Sequence, residues 1–381
     1  MKEKRFEQGP IRPPSEAGSL LFRFTRNCPW NKCTFCPVYK GKQFSRRSLE
    51  DIKSDIDTAA EIYNELLAFS SSLGHGGSIT REVLETVFTS GRFNDFYRQM
   101  ALWLYMGKGS VFIQDANSFV LPAPVIVEAI GYLKQKIPGI RRITSYARSS
   151  TIAKMSVAEL GAIRQAGLDR IHIGMESGSD RVLEFVRKGV SARRQIEAGR
   201  KVIEAGMELS EYFMPGLGGK ELSEDHARES ARVLNEINPH FIRLRTLRVP
   251  PRVPLFQDKQ SGRFIPLSDD ETILEIRLFI SSLEVSSRLI SDHIMNLLEE
   301  VTGKLPEDKE AMLAVIDRYL GMVPEEKLLF RLGRRGGALR SLDDLNDPVM
   351  RQRLQLAMKD MASEAGGDVE KIITELADQY I

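Results

Sequence analysis

Six short apolar runs rich in β-branched and aromatic residues alternate with helix-period segments between residues 18 and 250, and this alternation limits the fold more than any other feature. The runs are "LLFRFTR" (20–26), "SVFIQD" (110–115), "IRRITSY" (140–146), "DRIHIG" (169–174), "MELSEYF" (207–213) and "HFIRLRTL" (240–247). Strands separated by helices pair in parallel through right-handed β/α crossovers. Six such units are too few for a full eight-stranded barrel. The intervening helices are punctuated: Ser156 and Glu159 form a capping-box pattern, Val157, Leu160 and Ile163 an apolar stripe, and Gly167 a stop. "QIEAGRKVIEAG" ends at Gly206, and "ARVLNEI" repeats the spacing with Val233, Leu234 and Ile237.

The first crossover is long. Two helical stretches, about 46–70 and 79–106, are joined by "SSSLGHGGS", which lacks the lysine and serine of a phosphate loop and reads as a flexible connection. Beyond the proline-rich "RVPPRVP" (248–254) the pattern turns helical to residue 381. There Ser268 and Glu271 form a second capping box, opening "TILEIRLFISSLEVSSRLISDHIMNLLEEV". The expected organisation is an N-terminal extension (1–17), a β/α domain (18–262, with the long first crossover at 46–106) and a helical domain (263–381). With 42% hydrophobic and 28% charged residues the chain can bury a large core, and its formal charge of +2 points globally to neither nucleic acid nor a membrane. No stretch reaches the ~18 apolar residues of a spanning helix and no signal peptide is legible, so a cytoplasmic location is expected.

All three cysteines, Cys28, Cys33 and Cys36, lie within nine residues, just after the first strand. In a barrel-like sheet that end carries the active site. Three cysteines cannot pair completely, and reduced thiolates clustered in a loop suggest a metal. Three thiolates can ligate three irons of a cubane and leave the fourth open, as a catalytic metal site does. A zinc site completed by one of the five histidines, or a cluster used only for electron transfer, are the alternatives.

With these cysteines the sequence resembles the radical S-adenosylmethionine (SAM) enzymes. The resemblance covers roughly residues 18–250. It implies a partial (β/α)6 TIM-like barrel, here with a C-terminal all-helical domain. It also implies a [4Fe–4S] cluster on Cys28, Cys33 and Cys36, with SAM chelating the free iron. An electron, from a donor such as flavodoxin or ferredoxin, then cleaves SAM to methionine and a 5′-deoxyadenosyl radical that abstracts hydrogen from substrate. Four residues separate the first two cysteines where the family commonly has three. Phe35, before the third cysteine, falls where the family places an aromatic near the adenine.

Other strand ends extend the resemblance. Where the family often has Gly-Gly-Glu, this chain has Asp115-Ala116-Asn117: Asn117 can accept from the SAM ammonium, and Asp115 can supply negative charge. "DANS" is equally a plain strand-to-helix turn. Arg148 and Ser149 end the third run, where an arginine fork suits a carboxylate. Gly174, Glu176, Ser177 and Gly178 match a Gly-x-Glu-Ser-Gly segment, with Glu176 expected on ribose hydroxyls or the ammonium. Gly216, with Gly218 and Gly219, allows close approach to adenine. Arg243 and Arg245 form either a cationic pocket for an anionic substrate or an outer charged cover. His172 reads as a core histidine, His226 as part of an exposed helix, and His293 with Asn296 as a helical pair at the barrel mouth. "RLGRRGG" (331–337) reads as a basic glycine loop, a solvated connection between helices rather than a grip on a phosphate or RNA backbone.

A carbon radical demands a closed, dry site, for which the long crossover and the helical tail are the expected lids. A second cysteine set is absent, which argues against sulfur insertion and methylthiolation. Three readings stay open. The first is a single-cluster radical SAM enzyme acting on an anionic or polar small molecule. The second acts on tRNA or a peptide, with the tail and "GRRGG" as docking surface; the third is a non-catalytic iron–sulfur or zinc interaction protein.

Overall fold

The computed structural model describes residues 4–364 and 369–378. The chain is α/β, with a mostly parallel eight-stranded sheet that includes the six strands of the expected β/α units. Two compact units divide it: residues 1–31, 38–173 and 197–209 form the first, residues 32–37, 174–196 and 210–381 the second.

In the first unit the opening run is two strands. Leu20–Arg23 (β1) is almost fully buried and ends at Phe24; Thr25–Arg26 (β2) then leaves the sheet to pair antiparallel with Ser45–Arg46 (β3), Thr25 opposite Arg46. This small ladder closes the base of the segment that carries the cysteines. Parallel to β1 runs Ser110–Gln114 (β4), with Leu20 beside Val111, then Arg142–Ala147 (β5) and Leu168–Glu176 (β6), whose last three residues belong to the second unit. Every residue of β4 is buried, as a strand covered on both faces requires.

The long crossover is three helices. Ser48 caps Leu49–Ser72 by accepting from Asp51 N–H; Arg81–Thr89 follows, and Asn94 starts a separate helix, Asp95–Met106, by accepting from Phe96 and Tyr97 N–H. An asparagine caps by competing for orphan donors, which is why the stretch read as one helix over 79–106 divides there. The box at Ser156 and Glu159 is present in both directions. His172 is a core histidine, wholly buried with its ring 5.9 Å from that of Tyr146. The N-terminal segment packs Phe6 on Phe22 and Phe96.

In the second unit Glu208–Phe213 (β7) enters from the first and pairs in parallel with Phe241–Leu244 (β8), Tyr212 beside Arg243. Phe213 stacks at 3.9 Å on Phe279 of the helix Asp269–Ser281. That helix ends at Ser281, and the helical reading of the next twenty residues is corrected. Arg288–Ile290 (β9) extends the sheet parallel to β8, and Gly303–Lys304 (β10) pairs antiparallel to β9. The cause is local. Asn235 and Asn238 accept from Glu284 and Ser286 N–H at 2.7 and 2.8 Å, so the chain is drawn along the open edge of β8. Helices Lys309–Leu320, Pro324–Arg335, Pro348–Glu364 and Val369–Asp378 complete the tail. Among the described residues no helix is long and apolar enough to cross a membrane.

Candidate active site

The candidate residues lie at strand ends and are taken unit by unit. In the first unit, Cys28 follows Asn27, whose φ of +66° turns the chain out of β2. The loop is tied to itself: Asn31 donates its side-chain amide to Tyr39 O at 2.6 Å, Lys40 donates to Asn31 O at 2.9 Å, and Asn31 N–H points at Cys28 Sγ from 3.4 Å. Asp115, at the end of β4 and fully buried, takes three donors. Its Oδ2 accepts from Arg23 Nε at 2.6 Å and Asn27 N–H at 2.8 Å, and its Oδ1 accepts from the Tyr39 hydroxyl at 3.1 Å.

Asn117, equally buried, donates to Thr151 Oγ1 at 2.7 Å and accepts from Arg148 N–H at 3.3 Å, pinning the turn after β5. Arg148 precedes the short helix Ser149–Ile152, of which Ser149 is buried, and holds its guanidinium 5.2 Å from the ring of Trp30 in the cysteine loop. Asn117, Arg148 and Trp30 therefore form one group in the first unit.

In the second unit, the backbone between the last two cysteines is fixed: Thr34 N–H donates to Val186 O and Thr34 O accepts from Leu255 N–H, both at 3.0 Å. Phe35 is buried, with Lys188 Nζ 5.8 Å from its ring, and Lys188 donates to Glu176 Oε1 at 3.1 Å. Glu176 ends β6 at φ +65° and folds its carboxylate back over Gly174. A Cβ at 174 would stand 2.3 Å from Glu176 Oε1, so any side chain there would push the carboxylate aside. Among the described residues Glu176 Oε2 is buried with no hydrogen-bond partner. Glu211 on β7 is also buried; desolvation, opposed by Lys188 and reinforced by Glu176, pushes its carboxyl well above the ordinary range.

Ser177 is spent on structure. His226 Nε2 sits 3.0 Å from Met214 O and must carry the proton there, so Nδ1 accepts from Ser177 Oγ at 2.8 Å; Ser177 Oγ in turn accepts from Ser179 N–H. Burial lowers the His226 pKa to about 4 and keeps the ring neutral. The exposed-helix reading of His226 is thereby corrected: it lies on the stripe Ala227, Ser230, Ala231, Leu234 that the helix Gly219–Ile237 buries.

Gly216, at φ +85°, donates its N–H to Glu275 Oε1 at 2.6 Å, while Glu275 Oε2 accepts from Ser223 Oγ at 2.5 Å. Arg243 is buried and paired with Asp292 at 2.9 Å, whereas Arg245 lies beyond the end of β8 and is exposed. His293 and Asn296 are not helical; Asn296 ties the strand end by accepting from Thr246 N–H and donating to Leu244 O. The basic glycine loop is also corrected. "RLGRR" is the last turn of Pro324–Arg335, and its charges face Glu370, Glu299 and Asp269 inside the fold, with Arg335 2% exposed.

Trp30, Lys188 and Glu275 were not singled out from the sequence; tertiary packing brings them to Arg148, Glu176 and Gly216. His226, read as exposed, had a usable signal in its helical stripe.

The donor set fits an iron–sulfur cluster. None of the three cysteines is tied up in a disulfide, and the Asn31 N–H is aimed at Cys28 Sγ, the contact that a cluster thiolate accepts. Among the described residues no three His, Cys, Asp or Glu side chains are arranged to hold a single metal ion. The open Glu176 Oε2 offers a buried anionic acceptor to a ligand hydroxyl or ammonium.

Residues 85–231 match the family model of the Radical SAM superfamily. A curated relative, tRNA uridine(34) acetyltransferase of Methanocaldococcus jannaschii, is 22% identical over 116 residues, which are 30% of this chain and 21% of that protein. Two similar solved structures are methylornithine synthase (PylB), 15% identical with a TM-score of 0.41 over 78% of this chain and 68% of the other, and the cobalamin-dependent radical enzyme OxsB, 14% identical with a TM-score of 0.46 over 95% and 58%.

Proposed function

A chain with that match belongs to the radical SAM superfamily of enzymes, and from that premise we propose a single-cluster radical SAM enzyme acting on an anionic or polar small molecule. Members of the superfamily use a [4Fe–4S] cluster and SAM, whose bound pair supplies one-electron cleavage of a carbon–sulfur bond. What this chain supplies is placement. Cys28, Cys33 and Cys36 hold the cluster. Glu176 receives SAM's ribose hydroxyls or ammonium, Phe35 packs beside the adenine, and Arg148, with the turns held by Asn117 and Gly216, frames the rest. The single observation carrying the reading is the buried, unpartnered Glu176 Oε2, in the same unit as Phe35 and two of the cysteines. Arg243, half committed to Asp292, is the cation we assign to the substrate. A cytoplasmic home with a flavodoxin- or ferredoxin-like reductant completes the reading.

Anaerobic incubation with dithionite and SAM tests it: the wild type forms 5′-deoxyadenosine, and Cys28→Ala, Cys33→Ala and Cys36→Ala each form none. Glu176→Gln weakens SAM binding about tenfold, the loss of one charge-assisted hydrogen bond. Turnover in any cysteine variant overturns the assignment.

A second reading, modification of tRNA, draws on the name of the curated relative, of which this chain spans about a fifth. A salt-dependent shift of tRNA in a gel supports it; no shift at low salt dismisses it.

A further inference from the structure

Asp115 was expected to face the SAM ammonium, yet its carboxylate is already occupied by the chain. Arg23 lies against Oδ2 at 2.6 Å and neutralises it, Asn27 N–H donates to the same oxygen, and the Tyr39 hydroxyl takes Oδ1. These partners are the two feet of the cysteine loop: Asn27 immediately precedes Cys28, and Tyr39 lies on the returning limb, where its own carbonyl receives the Asn31 amide. Arg23 also reaches Asn27 Oδ1 at 3.2 Å, and Arg47 holds Arg23 O at 2.7 Å. Gly9 closes the far side, since a Cβ there would stand 2.3 Å from Asp115 Oδ1.

We propose that Asp115 is a positioning residue for the cluster: a buried carboxylate that anchors both limbs of the cysteine loop and sets where Cys28 stands. This rests on the radical SAM reading. A ligand cysteine on a loop has many conformations, and a charge-assisted bond to the amide next to it removes most of them before iron arrives. Partners behind a metal ligand are worth about 10–100-fold in metal affinity.

The test uses the full chain, reconstituted anaerobically, in the wild type, Asp115→Ala, Asp115→Asn, Tyr39→Phe and Gly9→Ala. Iron and sulfide content, loss of cluster absorbance to EDTA, and the EPR spectrum of the reduced cluster with and without SAM are recorded. EDTA strips Asp115→Ala about 10–100-fold faster than wild type, Tyr39→Phe by less, and the clusters that remain still respond to SAM. Should Asp115→Ala not fold, Asp115→Asn and Gly9→Ala carry the comparison, since one removes the charge and the other displaces it. Stripping rates equal to wild type with weakened SAM binding would overturn the inference and return Asp115 to the cofactor. A wild type that holds four irons beside unaffected variants sinks this inference alone; a wild type that holds no cluster sinks the superfamily reading with it.

Discussion

Glu275 offers the sharpest quantitative test of the fold's chemistry. It is 3% exposed, it braces the turn at Gly216, and desolvation raises its pKa from 4.5 to about 7 against the opposing pull of Ser223 and the Gly216 amide. Between those two values the folded chain holds a proton on Glu275 that the unfolded chain has lost. Folding therefore takes up a proton, and stability falls as pH rises through the window. The displacement corresponds to about 3 kcal/mol, fully present below about pH 4.5 and gone above about pH 7. Glu275→Gln keeps the shape and removes the titration.

Urea unfolding of wild type and variant at about pH 4.5 and pH 8, with reductant and no iron, isolates the effect. Relative to the variant, the wild type loses about 3 kcal/mol on going to the higher pH. His226 acts with the opposite sign, losing stability as pH falls from 6.5 toward about 4; its Nε2 stands 3.9 Å from Glu275 Oε1, so the comparison is repeated in a His226→Gln background, which removes that titration from both proteins. If wild type and variant differ by the same amount at both pH values, to within about 0.5 kcal/mol, the carboxyl is not the buried, perturbed group described.

Three further outcomes follow from the same coordinates. Gly178→Ala puts a Cβ 2.3 Å from Glu229 O and 2.6 Å from Ser230 Cα, both backbone, and a denaturant midpoint shows a loss of about 3 kcal/mol. Lys188→Met removes the counter-charge of Glu176, leaving a buried carboxylate alone; unfolding shows a loss of about 3 kcal/mol, and SAM affinity read by calorimetry falls with it. Arg335→Met leaves Asp269 and Met295 O without their donor, costing about 3 kcal/mol in thermal unfolding while leaving retention of tRNA on a gel unchanged.

Much of this fold was legible because period and punctuation agree. Ser156 with Glu159, and Ser268 with Glu271, announce helices whose boxes the structure completes, and each strand run meets its crossover at a glycine or a cap. The run 20–26 hid a break because Phe24 continues the apolar alternation of Leu20 and Phe22; only the partner strand at 45–46 explains it. "SSLEVSSRLI" has no helix period of its own after Ser281, and the amides of Asn235 and Asn238, some fifty residues earlier, decide its path. Charge misleads where sequence cannot show a partner. Asp115 looks like a ligand for a cation until Arg23 is found against it, and "GRRGG" looks like a basic docking surface until Glu299 and Asp269 are found facing it.

The antiparallel pair of Thr25–Arg26 with Ser45–Arg46 has a kinetic consequence. A ring of chain fastened at its neck has surrendered most of its closure entropy during folding, so a metal arriving later need not gather a wandering segment. Loading and repair after oxidative loss should then proceed on a ready-made cradle, with rates set by delivery of iron and sulfide rather than by chain search.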